Sequence, residues 1–359
     1  MSTLREHAEV EFLEEIQALQ KIDKESRPTN WELSPQAVVD YLMGKKLANG
    51  FIVTPKYIGD RRLMEIAVAT LTTDRALLLY GIPGTGKSWV SEHIAAAISG
   101  DSKLLIQGTS GTSEESIRYG WNYAKLLAEG PSEDALVSTP LMAAMKTGKI
   151  ARIEELTRIS ADVQDNLITI LSEKLLPIPE INTEVQAQKG FNVIATANNK
   201  DKGVNDLSSA LKRRFNTVIL PTPKTAEEEI NIVTTRVAKM AKSLELPVAL
   251  PTLQDIQRIV SIFRELRMGV TEDGRIKIKS PSSTMSTAEA ISVVNSGLSL
   301  SAYFGDGKLN SHDIASSLIG AIVKDPIQDK VIWEDYLDTV VKPREGWKDI
   351  YRACKEVSL

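Results

Sequence analysis

Between residues 59 and 223, short unbroken apolar runs alternate with longer stretches in which apolar residues recur every third or fourth position. The runs at 76–80, 103–107, 149–153, 191–196 and 217–220 have the length and character of strands covered on both faces. Residues 88–98 carry Val90, Ile94 and Ile98 on one side of a predicted helix. Such alternation predicts an α/β fold, a mainly parallel sheet with helices on both faces. Two stretches break the rhythm. Residues 110–147 are too many for one simple crossover, and 175–189, containing Leu-Pro-Ile-Pro-Glu, predicts a β-hairpin just before the fourth run.

The flanking regions read differently. Residues 4–25 predict a charged amphipathic helix with Leu13, Ile16, Leu19 and Ile22 at helical spacing, and Pro28 and Pro35 end the pattern before a second short helix over 36–46. After Pro221-Thr-Pro223 the periodicity becomes helical throughout, over 225–245, 252–267, 285–303, 311–323 and 344–356, with a small hairpin expected at 271–279. The expected division is a helical N-terminal extension over 1–50, an αβα core over 51–224 and an α-helical domain over 225–359.

A length of 359 residues accommodates two domains, and the low aromatic share of 5% points to an aliphatic, helix-rich core. A net charge of −4 gives no reason to expect nucleic acid as a partner. The single cysteine, Cys354, excludes an internal disulfide, and three histidines offer no structural zinc site. No apolar run approaches the roughly 18 residues of a membrane span, and the N-terminus leads into acidic sequence rather than a leader, so a soluble cytoplasmic protein is expected, with no membrane partner.

The candidate chemistry starts at Gly81-Ile-Pro-Gly84-Thr85-Gly86-Lys87-Ser88, a full match to G-x-x-x-x-G-K-[ST] between a predicted strand and a predicted helix. Glycines there let backbone N–H groups wrap a phosphate, and the helix N-terminus adds its positive end. Lys87 would reach the β- and γ-phosphates and the Ser88 hydroxyl would ligate Mg²⁺. Hydrolysis further needs a metal-holding carboxylate and a group that activates water. Glu154 and Glu155, directly after the third run, supply both: Glu154 to hold the metal through water, Glu155 to activate the nucleophile. Asn198, ending the fourth run, is placed to bond the γ-phosphate or the water, since ligands gather at the carboxyl ends of parallel strands. Arg213 and Arg214 end a short helical stretch and could stabilise charge on a transferring phosphoryl group.

In that order these residues resemble the AAA+ ATPases and, among them, the MoxR-type branch, over about residues 55–325. The match runs through phosphate loop, second-strand insert, acidic pair, pre-sensor hairpin, sensor Asn198, the Arg214-Phe215 pair and a helical lid. The resemblance implies ATP and Mg²⁺ as cofactors. It implies nucleotide contacts at Ile58, Gly59, Gly81, Pro83, Gly84, Thr85, Gly86, Lys87, Ser88 and Trp89, with Ser88 and Glu154 at the metal. It also implies a homo-oligomeric ring, a hexamer, in which Arg214 acts on the nucleotide of the neighbouring protomer. Two features depart from the family pattern. Glu154 stands where aspartate is usual, and Ser280-Pro281 is not followed by the lid arginine, none occurring between Arg275 and Arg344.

The function implied is remodelling or activation of a client protein, in this branch often one with a von Willebrand A domain. The aromatics Tyr119, Trp121 and Tyr123 in the insert are candidates to grip a client, or else pack the insert onto the body. Two other readings stay open from sequence: a nucleic-acid-dependent motor, and an ATP-binding switch with little turnover, which the Glu154 substitution and the absent lid arginine both motivate.

Overall fold

Five strands form the central sheet of the computed structural model: β1 (Ala76–Gly81), β2 (Leu105–Gln107), β3 (Ile150–Glu154), β4 (Asn192–Asn198) and β5 (Phe215–Ile219). They lie in the order β5-β1-β4-β3-β2, all parallel. Residues 4–198 and 205–357 are described, so Asn199 and the outermost residues of both termini lie outside them. Two compact units result, one from Glu6–Ile82 and Gly86–Leu220, the other chiefly from Pro221–Leu359.

Strand alternation sorts the apolar side chains of β1 into two layers. Leu77 and Leu79 face a core with Ile94 and Ile98 of the long helix after the phosphate loop, while Ala76 and Leu78 face a second core with Leu141, Ile153 and Leu167. The register is what matters for chemistry. Asn198 pairs with Gly81 and Ala195 with Ile153, so the ends of β1, β3 and β4 lie side by side at one edge of the sheet.

The N-terminal region differs from the sequence expectation. Helix 4–25 is two helices, Ala8–Glu11 and α1 (Leu13–Ile22), broken at Phe12. The break narrows the apolar stripe: Ile16 and Leu19 are buried, whereas Leu13 and Ile22 are 48% and 47% exposed. The second helix, α2 (Pro35–Met43), stops at Gly44, whose φ of +80° suits glycine, and Lys45–Lys46 then pairs with Ile52–Val53. Ile16, Leu19, Trp31 and Tyr41 share one core with α3 (Arg61–Leu71) and α4 (Lys87–Ser99), so residues 6–50 are part of the first unit rather than an appendage.

The 110–147 insert folds around an antiparallel pair, Tyr119–Trp121 with Leu136–Ser138, and the expected hairpin pairs Leu175–Ile178 with Thr183–Gln186. Arg118 Nη2 donates to the Pro177 carbonyl (2.8 Å) and the Tyr119 hydroxyl to Glu180 Oε2 (2.7 Å), tying insert to hairpin. Burial and the Glu180 partner push Tyr119 up to about 12. Tyr119 therefore packs the insert onto the hairpin, the second of the two roles expected for it. Trp121 packs edge-on against it, and Tyr123 alone of the three is mostly exposed, at 59%.

The second unit is helical: α5 (Ala226–Ser243), α6 (Leu253–Met268), α7 (Thr287–Phe304), α8 (Ser311–Ile322), α9 (Gln328–Tyr336) and α10 (Lys348–Glu356). Thr225/Glu228, Thr252/Asp255, Ser286/Glu289 and Asn310/Asp313 form capping boxes that start α5 to α8, close to where the sequence periodicity places them. Helix α9 has Ile327, with no side-chain acceptor, at its N-cap; Asp325 Oδ1 instead accepts from the Ile327 and Gln328 N–H groups (both 2.9 Å), Val331 is exposed, and the sequence pattern did not reveal the helix. The hairpin expected at 271–279 reduces to one bridge, Val270 with Lys277.

Candidate active site

The phosphate loop leaves β1 at Gly81 and enters α4 at Lys87. Gly84 and Gly86 both have φ of +79°, the left-handed backbone that turns N–H groups toward the loop interior. Gly86 is the N-cap and offers no side-chain acceptor, which leaves the first-turn N–H groups of α4 for an anion. Lys87 is buried and folds its Nζ onto the carbonyls of Gly81 (3.1 Å) and Ile82 (2.8 Å). A phosphate in the loop would compete for that ammonium.

Glu154, the last residue of β3, is 3% exposed and receives four donors. Ser88 Oγ (2.7 Å) and Thr196 Oγ1 (2.6 Å) donate to Oε2. Arg152 Nη2 (2.9 Å) and the Ser91 hydroxyl donate to Oε1. The Ser88 hydroxyl and the Glu154 carboxylate are thus in direct contact, and such hard oxygens fit Mg²⁺, which takes its remaining ligands from phosphate and water. Among the described residues no group of three or more His, Cys, Asp or Glu gathers as a self-sufficient metal cage.

Glu155 follows in a left-handed conformation, φ +54° and ψ +44°, which turns its side chain out of the strand direction. Its backbone N–H donates to Thr196 Oγ1 (3.1 Å), and its carboxylate accepts from Asn198 Nδ2 at 2.9 and 2.8 Å, with Arg158 Nε at 3.4 Å. Beneath the pair lies Gly108 at the end of β2, where an added Cβ would meet the Glu155 carbonyl at 2.5 Å and that of Glu154 at 2.8 Å. The geometry brings Gly81, Lys87, Ser88, Glu154, Glu155 and Asn198 together at the carboxyl ends of β1, β3 and β4, the usual ligand crevice of such sheets.

Other expected residues fall elsewhere. The Trp89 ring packs on His93 (centroids 4.1 Å apart) and Phe12, and its Nε1 donates to the Lys56 carbonyl (2.8 Å). The half-buried Trp89 side chain thus ties α4 to the segment that contains Lys56 and Ile58. Ile58 is half-buried in that segment, and a Cβ on Gly59 would lie 2.7 Å from the Tyr57 hydroxyl. Arg213 and Arg214 are not with the phosphate loop at all. Phe215 pairs with Ala76 at the start of β1, so Arg214 stands at the opposite end of the strands, about 20 Å from Gly81 along the sheet. Arg214 bonds the Ser172 hydroxyl and, at 2.5 Å, the Ala210 carbonyl, and Arg213 is exposed.

The sequence reading assigned no role to Arg152, Ser91 or Thr196. A signal existed for the first two: Arg152 lies two residues before Glu154 on a strand, hence on its face, and Ser91 lies three after Ser88 on a helix.

Comparison with known proteins gives two family matches, "AAA domain (dynein-related subfamily)" over residues 76–215 and "YehL-like AAA+ ATPase C-terminal domain" over residues 227–357. The "Uncharacterized protein YehL" of Escherichia coli (strain K12) is 36% identical over 356 residues, covering 97% of this chain and 96% of that protein. An uncharacterized protein of Staphylococcus aureus (strain USA300) is 28% identical over 157 residues, covering 44% of this chain and 59% of its own length. Among solved structures, NtrX from Brucella abortus in complex with ATP matches with a TM-score of 0.48 at 13% identity, covering 76% of this chain. The same protein in complex with ADP matches with a TM-score of 0.46 at 14% identity, covering 69% of this chain. The chain spans just over half of NtrX, 57% and 51% in the two structures.

Proposed function

The chain belongs to the YehL-like AAA+ ATPases, and on that premise we propose that it hydrolyses ATP to ADP and phosphate with Mg²⁺, in a ring of identical protomers that remodels a protein client. The observation that carries the hydrolytic reading is the convergence of Ser88, the Glu154–Glu155 pair and Asn198 beside the loop lysine, from three separate segments of the first unit.

In this reading the triphosphate enters the loop and draws Lys87 from the Gly81 and Ile82 carbonyls to the β- and γ-phosphates. The Ser88 hydroxyl and the Glu154 carboxylate would hold Mg²⁺, which when bound would supply positive charge to offset that of the phosphate oxygens. Asn198 orients Glu155, and Glu155 takes a proton from a water aligned with the γ-phosphorus. The water oxygen forms the new P–O bond as the bond to the β-phosphate oxygen breaks, and ADP departs. The sheet-length separation of Arg214 from its own loop supports a role on a neighbour's nucleotide, hence a ring, with a hexamer as the expected closure.

The tie between insert and hairpin supports transmission of that chemistry to a client. The hairpin lies in the chain between β3, which ends in the acidic pair, and β4, which ends in Asn198, a position from which it would respond to changes at both ends. A cytoplasmic client with a von Willebrand A domain is the partner proposed. Multiple-turnover assays of purified protein test the enzyme: wild type should release phosphate at least a hundredfold faster than Glu155→Gln. Equal rates would leave an ATP-binding switch. Glu155→Gln held in ATP should retain the client in a pull-down, and a captured partner without the proposed domain would sink that part.

A further inference from the structure

A buried guanidinium stands behind the metal-binding acid, and neither the phosphate-loop pattern nor the acidic pair accounts for it. Arg152 is 5% exposed in the middle of β3, a strand otherwise apolar up to Glu154. All three of its nitrogens are engaged. Nε donates to Ser91 Oγ (3.1 Å), Nη1 to the Ser102 carbonyl (3.0 Å), and Nη2 to the Ser88 carbonyl (3.1 Å) and Glu154 Oε1 (2.9 Å). Two of these four acceptors belong to the first turns of α4 and one to the end of β3. The planar fork therefore fixes the helix that carries the Ser88 hydroxyl against the strand that carries the carboxylate.

We propose that Arg152 is a positioning residue of the hydrolytic site, which with Ser91 clamps one oxygen of Glu154 so that the other faces the Ser88 hydroxyl. Glutamate has one more rotatable bond than aspartate, and its carboxylate reaches about 1.5 Å further. Left alone, that carboxylate would sample several rotamers. Held on Oε1 by arginine and serine, it presents Oε2 in one place, where Ser88 and Thr196 meet it. Arg152 and Glu154 are thus one device, a longer acid with its own brace. Replacing either alone leaves the other buried without its partner. The inference rests on the reading that this site binds nucleotide with Mg²⁺.

The test is a double-mutant cycle of Arg152→Met, Glu154→Asp and the two combined, in the full chain. The primary readout is equilibrium binding of a fluorescent, ribose-labelled ATP analogue, measured against Mg²⁺ concentration and again in chelator. Arg152→Met should raise the Mg²⁺ needed for half-maximal binding about tenfold or more, the usual effect of removing a group that orients a metal ligand, while binding in chelator is unchanged. The combined variant should lie closer to wild type than the product of the two single effects. Strict additivity, or an unchanged Mg²⁺ requirement in Arg152→Met, would overturn the proposal. If Arg152→Met does not fold, Ser91→Ala removes one arm of the same clamp, and a Mg²⁺ requirement equal to wild type there is likewise fatal. A wild type whose binding ignores Mg²⁺ altogether overturns the metal reading itself, and this inference with it.

Discussion

At Glu155 the backbone adopts a conformation that costs a non-glycine residue about 1–2 kcal/mol, and the chain tolerates it because Thr196, Asn198 and Arg158 all engage that one residue. Strain so compensated keeps the Glu155 carboxylate on the Asn198 amide at the end of β4. Lys87 makes the complementary case. Its ammonium is buried against two carbonyls of its own loop, a placement that a phosphate would improve by supplying opposite charge. Lys87→Ala should weaken ATP binding at least about tenfold in an equilibrium titration, the loss expected of one charge-assisted contact. Cys354 offers a separate residue-scale check. Burial in α10 pushes its thiol up to about 12, so at pH 8 almost no thiolate exists in the folded protein. Alkylation there should be slow and should accelerate sharply in denaturant; rapid native-state labelling would contradict the packing of α10.

The elements hold these residues through bonds that reach far along the chain. Trp89 fastens α4 to the 56–59 segment, and Ser102 and Ser88 receive the Arg152 fork between α4 and β3. In the helical unit, Asp329 near the start of α9 accepts from the N–H groups of Ser282 (2.7 Å), Lys324 (3.0 Å) and Asp325 (2.8 Å) and from the Ser282 hydroxyl (2.8 Å). Asp329→Ala would strand those donors and should cost about 3 kcal/mol in denaturant unfolding. Burial alone would raise this carboxyl, but the donors from Asp325, Ser282 and Lys324 outweigh it and hold it below the ordinary range. Its folded value lies under its unfolded one, so the stabilisation is present above about pH 4 and is lost as pH falls further. The stability advantage of the wild type over Asp329→Asn in denaturant unfolding should therefore shrink as pH falls below about 4.

For the whole molecule, the separation of Arg214 from its own phosphate loop turns a question of residues into one of assembly. Arg214→Ala should abolish turnover while leaving ATP affinity within about threefold of wild type, because the group would act on charge that develops only in the transition state. Mixing Arg214→Ala with Glu155→Gln protein should restore part of the activity that neither has alone, since some junctions would then combine an intact Glu155 with an intact Arg214. No recovery, together with a phosphate-release defect in isolated protomers, would remove the ring from the account.

Much was legible in the residues by themselves. The phosphate loop, the acidic pair and the strand that ends in Asn198 announce themselves because each is local, a few residues whose spacing fixes their geometry. The helical periodicity after Pro223 is local in the same way, and the capping boxes observed at α5 to α8 start helices close to where that periodicity places them. Helix α9, which has Ile327 at its N-cap and carries exposed Val331, gave no such mark. The sequence by itself determined the family chemistry, an acid pair beside a phosphate loop. Only the tertiary structure decided that Arg152 and Ser91 brace Glu154, that the Trp89 indole bonds the Lys56 carbonyl, and that Arg214 stands at the far end of the sheet. Those outcomes depend on strand register and on how α4 docks against β3, and both are set by packing between segments distant in the chain rather than by any pattern within one of them.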